Sequence, residues 1–379
     1  MKKIVPFLFA VGLFAQSCGN PPQEMTQSTE QKTYSFLVGS YTENPSHGVY
    51  LLEFSPNSFG LKTTVLIDSI QNPSFVIANK TNDMVFTLEE IAIENGGRVM
   101  NYSQNGDGRL TPISKANTFG GAPCYLALSP NEDYLVAGNY SGGNLTIYSI
   151  TDTGVLQHVQ TLEHEGSSVN TSRQEAPHVH STVFDREGKY LLAADLGTDE
   201  VRVYRFDRDT PEPLSLKEII KMEPGDGPRH SVFSPNGEEV IVLQELTGKL
   251  NVYSYSAGTL DLTQRLDLLD EDFEGAIGAA EVRYSPDGKF VYASNRGDAN
   301  TLSVFTKNET GQYQRIQQIS SGGIMPRNFN LTSDGKYLLS AHQASNDVVV
   351  FERNVETGLL EPTTFKIELN SPIYLFGLN

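Results

Sequence analysis

One pattern returns along this chain about every fifty residues, and it constrains the fold more than any other feature. A proline opens a short apolar-rich stretch, a Ser-Pro-Asp/Asn-Gly turn follows, and a second apolar run ends in a polar residue. The clearest copy starts at Pro228 (PRHSVFSPNG). Others start at Ala279 (AAEVRYSPDG), Pro326 (PRNFNLTSDG), Pro123 (PCYLALSPNE) and Val179 (VHSTVFDREG), with a weaker copy from Pro73. The steps between these anchors are 50, 56, 49, 51 and 47 residues, and a seventh anchor, Pro372, lies a further 46 residues on. A repeat of this length is one supersecondary unit that must stack on its neighbours to bury its faces.

Each unit reads as four short strands. The first follows the anchor, an Asp-Gly or Asn-Gly hairpin turn leads to the second, the third follows a polar loop, and the fourth is expected to be a shorter, polar edge. No ten-residue helical pattern separates the strands, which argues against βαβ units. The expected fold is therefore all-β: a seven-bladed β-propeller of four-stranded blades over residues 34–379. The seventh anchor opens a first strand with nothing after it, while Tyr34 to Phe54 carries later strands with no first strand before them. One blade built from both termini would close the ring and leave fewer open sheet edges.

Ahead of the repeats, Lys2 and Lys3 precede an apolar run from Ile4 to Ala15 and then Gln16-Ser17-Cys18. The run is too short to span a bilayer. Residues 1–17 have the layout of a secretory signal. The Ala-Gln-Ser-Cys ending resembles a bacterial lipoprotein signal, which implies lipidation at Cys18. Residues 18–33 read as a flexible tether. These features predict an exported protein, anchored to the cell envelope by lipid and touching the membrane only there. The other cysteine, Cys124, then has no intramolecular partner and is expected to be a free thiol. Two cysteines make neither a disulfide framework nor a cysteine-built zinc site. With 46 acidic against 28 basic residues and a net charge of −18, a nucleic-acid-binding surface is excluded. A closed ring needs no partner chain, so a monomer is expected.

The innermost strands of a propeller line its central channel, so equivalent positions across the repeats can be compared. The residue after each anchor is Cys124, His180, Arg229, Ala280, Arg327 and Ile373. Just after the second apolar run stand Tyr140, Leu196, Glu245, Arg296 and Gln343. Residues that only pack would be small or apolar here, yet several are large, charged and basic in an acidic chain. Three arginines near an axis are costly unless an anion or a carboxylate such as Glu245 or Glu281 pairs with them. His178 and His180 have strand spacing that puts both imidazoles on one face. Without a third histidine or cysteine nearby they make no metal set, and no metal or other cofactor is expected. Glu245, at the end of an apolar strand, is expected to be exposed at a rim. No phosphate loop, nucleophile elbow or His-Glu-x-x-His pair occurs.

Several of these stretches resemble one family. Gly-Pro-Arg-His at 227–230 with a glutamate sixteen residues after the arginine, SPDGKFVYASNRG from Ser285, PRNFNLTSDGKYLLSAHQ from Pro326 and HVHSTVFDREGKYLLAADLGTD from His178 are similar to the seven-bladed propeller lactonases. That family includes propeller-type 6-phosphogluconolactonases and carboxymuconate lactonizing enzymes. The resemblance covers nearly all of residues 34–379. It implies a single propeller, a small anionic lactone or sugar acid as substrate, and an active site of His180, Arg229, Glu245 and Arg296. Val179 stands where the family usually has proline between two histidines. His178, His230, Arg327 and Gln343 are added as substrate-binding candidates. Lactone hydrolysis needs a base and positive charge where the carbonyl oxygen becomes anionic. Either Glu245 or His180 supplies the base, and the arginines supply the charge. A non-catalytic surface propeller that binds an anionic glycan or a protein, and a lactonizing enzyme acting on a dicarboxylate, are the alternatives.

Overall fold

The structure is a computed structural model that describes residues 1–3, 32–42, 48–93, 96–104 and 108–378. Apart from residues 1–3 and 32–33, the expected signal segment and tether, with Cys18, lie outside these. The described residues form 28 strands in seven four-stranded antiparallel sheets, and no helix. The chain is a seven-bladed β-propeller. Its innermost strands, in ring order, are Pro372–Gly377, Val76–Ala78, Pro123–Leu128, Val179–Phe184, Pro228–Phe233, Ala279–Tyr284 and Pro326–Leu331. Six of the seven open at the proline or its equivalent. Pro372–Gly377 pairs antiparallel with Tyr34–Ser40, so both termini build the first blade, as the split repeat required.

The turn motif has a local cause. Six blades place a short polar side chain five residues before the second strand's opening N–H and bond to it. Asn79, Ser129, Asp185, Ser234, Ser285 and Thr332 accept from the backbone of Met84, Tyr134, Tyr190, Glu239, Phe290 and Tyr337 at 2.9–3.1 Å. In four of them the turn glycine, Gly188, Gly237, Gly288 or Gly335, has φ between 67° and 78°, where a Cβ is strained. The second strands (YLLAAD, EVIVLQ, FVYASN) read as near-continuous apolar runs because a neighbouring blade covers each face. The apolar clusters accordingly lie between blades: one joins Ile241, Leu243 and Leu250 to Val291 and Phe305 of the next blade.

The outermost strands are not the shorter edges expected. Leu360–Glu368 has nine residues against six in Pro326–Leu331. Blades fan out and twist away from the axis, so the outer position has more room. Its alternating polar residues face solvent, which is the part of the expectation that holds.

Candidate active site

Two rings of equivalent residues surround one mouth of the channel. The first arises from a repeated β-bulge. In the third blade Pro123 pairs with Asn139 and Tyr125 with Gly138, which leaves Cys124 out of register. The same slip leaves out His180, Arg229, Arg327 and Ile373, and in the sixth blade Ala280 with Glu281. A bulge frees one side chain from the ladder and re-aims it. Here the aim is inward: Cys124, His180, Arg229, Arg327 and Ile373 line one chamber with Ser74, which follows the anchor of the second blade. The cavity they leave is about 20 Å³, enough for about one water.

The second ring lies at the rim. The residue after each second strand donates its N–H to the carbonyl preceding the anchor. The pairs are Tyr41 to Ser371, Glu90 to Asn72, Tyr140 to Ala122, Leu196 to His178, Glu245 to Gly227, Arg296 to Gly278 and Gln343 to Met325, at 2.7–3.1 Å. Glu245 in the fifth blade therefore stands across the axis from Glu90 in the second.

Glu245 is the focus of the charge. Its Oε2 accepts from Arg229 Nε at 2.8 Å and faces Arg296 Nη2 at 3.0 Å, while Oε1 accepts from Arg173 Nη2 at 2.6 Å. Burial alone would raise this carboxyl. Arg296 and Arg229, then His180 and Arg173, overcome burial and hold it well below the usual carboxylate range. The expectation of an exposed rim glutamate is corrected: Glu245 is only 4% exposed, because three guanidiniums cover it. Arg229, 2% exposed, pays for its crowding. Burial, Arg296 and Arg327 push it down to about 10.

His180 stands between these charges, with Nε2 4.0 Å from Glu245 Oε2 and Nδ1 3.8 Å from Cys124 Sγ. Burial, then Arg229 and His230, push its imidazole well below the usual histidine range, so it is neutral near pH 7. Cys124 is a buried free thiol, held protonated by burial and by Glu90. Below them, His230 Nε2 faces Arg229 Nη1 at 2.9 Å and its Nδ1 faces Glu281 Oε1 at 3.2 Å. The guanidinium can only donate, so these partners require the Nδ1–H tautomer. Glu281 also accepts from Asn328 and lies 3.5 Å from Arg283.

On the far side of the axis Arg327 lies over the Tyr41 ring, 5.6 Å from its centroid. It makes no hydrogen bond to a described residue. Tyr41 donates its hydroxyl to Glu90 Oε1 at 3.0 Å. Glu90 Oε2 is buried and accepts no hydrogen bond. The mouth therefore gathers Arg173, Arg229, Arg296 and Arg327 against Glu245 and Glu90.

Arg229, Arg296 and His180 thus gather around Glu245, with His230 beneath and Arg327 opposite. His178 is set apart: it stacks on Tyr140 at 4.4 Å and its Nε2 lies 3.4 Å from Glu175. Gln343 occupies its rim position, but its side chain does not line the chamber and its Oε1 has no hydrogen-bond partner. No group of three or more histidines, cysteines or acids among the described residues could hold a metal.

Sequence reasoning missed Arg173, Glu90 and Tyr41. Arg173 sits in the loop that makes the longest step between anchors. Gln174, buried beside it, pins that loop over the mouth by donating to Leu196 O at 2.9 Å. The seventeen-residue offset from anchor to rim, applied from the weak anchor Pro73, would have found Glu90. A cavity of about 750 Å³, lined by Tyr34, Arg283, Asn330 and Phe376, lies at the opposite ends of the innermost strands and holds none of the rim residues.

Residues 35–376 match the family described as "Lactonase, 7-bladed beta-propeller". The 6-phosphogluconolactonase of Formosa agariphila is 30% identical over 341 residues, covering 88% of this chain and 96% of that one. The 6-phosphogluconolactonase of Bacillus subtilis is 28% identical over 340 residues, again 88% and 96%. The solved structure of the periplasmic gluconolactonase of Pseudomonas aeruginosa superposes with a TM-score of 0.86 at 32% identity, covering 92% of this chain and 99% of that one. With this fold and this mouth of arginines, the chain belongs to the seven-bladed β-propeller lactonase family and is a lactone hydrolase.

Proposed function

We propose that this protein hydrolyses a sugar lactone to its sugar acid outside the cytosol, with 6-phosphogluconolactone and gluconolactone as the first substrates to test. The observation that carries the reading is the surplus of guanidinium at the mouth, Arg327 above all. A half-buried cation with no hydrogen bond to a described residue in an acidic chain is a site kept for a negative charge. The charge arises in any lactone when water adds and the carbonyl oxygen becomes an oxyanion. A phosphate or carboxylate on the sugar would add to it. The 20 Å³ chamber is too small for a sugar ring, so the lactone binds at the rim against Tyr41 and Tyr140 and turns its carbonyl inward.

In this reading His180 is the base. Glu245 has both oxygens engaged by three guanidiniums and so positions Arg229 and Arg296, whereas the His180 imidazole, although burial and Arg229 lower it too, has no such partners. The neutral imidazole keeps a free lone pair for a proton from water. Export is supported by the charged and apolar N-terminal pattern and by the periplasmic relative, and lipidation at Cys18 by the Ala-Gln-Ser-Cys sequence. The test is a panel of 6-phosphogluconolactone, gluconolactone and a muconate-type lactone followed by proton release, with spontaneous opening subtracted. Turnover of a sugar lactone should fall about 100- to 10,000-fold in His180→Asn with the fold intact. Sugar-acid binding without turnover would mean a non-catalytic propeller, and turnover of the muconate-type compound alone would mean a lactonizing enzyme.

A further inference from the structure

The hydrolytic reading leaves open which group protonates the leaving oxygen. When the tetrahedral adduct collapses, the ring C–O bond breaks and an aliphatic alkoxide departs, which needs a proton as it leaves. Glu245, held ionised, cannot give one, and His180 carries only the proton it took from the attacking water, so a second donor would let the two transfers use separate groups. Across the axis from Glu245, at the equivalent rim position, stands Glu90, which the sequence comparison passed over. It shares the chamber with His180, Arg229 and Arg327. One oxygen is held by the Tyr41 hydroxyl; the other is buried near the Ser74 hydroxyl but in no hydrogen bond of ordinary geometry, so the carboxyl has one fixed oxygen and one loosely held.

We propose that Glu90 is the general acid that protonates the departing ring oxygen, facing His180 across the chamber. The assignment rests on the hydrolytic reading. Its electrostatic setting agrees: burial raises the Glu90 carboxyl, against the opposing pull of Arg327, the Ser74 and Tyr41 hydroxyls and Arg229. Of the other titratable groups around it, Cys124 and Tyr41 are held protonated by burial, His180 and His230 are pushed below the usual histidine range, Arg327 stays charged, and Arg229 is at about 10. Two carboxyls in one site driven in opposite directions mark an acid and a permanently ionised partner. Water adds to the acyl carbon and gives its proton to His180. The ring oxygen then leaves with its electron pair and takes the Glu90 proton. The new carboxylic acid returns a proton to Glu90, and His180 sheds its own to solvent. The sum is lactone plus water giving hydroxy-carboxylate plus one proton.

The experiment compares wild type, Glu90→Gln and Tyr41→Phe as full chains on gluconolactone and on dihydrocoumarin, a lactone whose phenolate leaves without needing a proton. Glu90→Gln should lose about 100-fold or more on gluconolactone, the span of general acid catalysis. It should lose far less on dihydrocoumarin, and the alkaline fall in kcat/KM should vanish. Equal loss on both lactones, or no loss on either, overturns the role of Glu90 while the hydrolytic reading stands. If wild type opens gluconolactone alone, the alkaline limb decides: its persistence in Glu90→Gln overturns the proposal. Should Glu90→Gln fail to fold, Tyr41→Phe decides. It removes a hydroxyl that favours the ionised carboxyl, so the limb must move to higher pH, and an unmoved limb overturns the role. Wild type that opens neither lactone, nor 6-phosphogluconolactone, ends the hydrolytic reading itself.

Discussion

Replacing Glu245 by glutamine keeps the shape of the site and removes one negative charge from the centre of three guanidiniums. Arg229, 2% exposed, and Arg296, 9% exposed, lose the carboxylate that compensates them, whereas Arg173, with 41% of its side chain exposed, is rehydrated at little cost. Stripping the partner from a buried ion pair costs about 3–5 kcal/mol. For a ring of about 350 residues, unfolding entropy of roughly 2.1 cal/mol/K per residue converts that into a Tm loss of about 4–7 °C. The same vacancy of charge makes the variant a better host for small anions. An anion at ten times its Kd returns about 1.4 kcal/mol, or about 2 °C. Thermal scans of both proteins in chloride and in sulfate at matched ionic strength measure both effects. A variant that melts within a degree of wild type and responds no more to sulfate would refute the account of these arginines as a charge-coupled cluster.

Acid should weaken the fold through the pair beneath the chamber. His230 is held at about 4 by burial and Arg229, so the unfolded chain binds its proton first and stability falls as pH drops from 6.5 towards 4. Glu281 is held at about 2, burial being outweighed by Arg283 and His230; its contribution is present above 4.5 and fades as pH falls towards 2. His180, also pushed well below the usual histidine range, shares this slope, so melting curves of His230→Gln should lose part of the slope between pH 6.5 and 4 and keep the lower one; an unchanged upper slope assigns it to His180 alone. Gly297, next to Arg296, has φ of 69°, and a Cβ there would meet Ala276 O at 2.0 Å. Gly297→Ala should cost about 1–3 kcal/mol and raise KM by displacing Arg296, read from a melt and a saturation curve. An unchanged KM would show that Arg296 is placed independently of this loop.

How far the sequence could be read is set by the repeat. Where a blade keeps its motif, as from Pro228 or Ala279, strand order, turn, bulge residue and rim residue all follow from counting, and Arg229, Glu245 and Arg296 were found that way. Counting failed where the pattern thins. The innermost strand of the second blade is only Val76–Ala78, and Glu90 was lost with its weak anchor. Arg173 lies in a loop outside any repeat, so only folding brings it to Glu245. Counting also could not say how exposed Glu245 is, because its cover comes from three other segments. Nor could it show that the residues after the anchors leave the strand ladder, which is what lets arginine and histidine stand where packing alone would place valine or alanine.

The first blade pairs Leu37 with Phe376, residues separated by nearly the whole length of the propeller sequence. Closing a loop of about 340 residues costs only a few kcal/mol more than closing a short one, since the entropy grows with the logarithm of length. The consequence is chiefly one of timing. During synthesis the segment from Pro372 to Gly377 emerges after the six other blades, so until then Tyr34–Ser40 presents a bare edge. A nascent chain of this kind stays unlatched until Pro372–Gly377 arrives to pair with that edge.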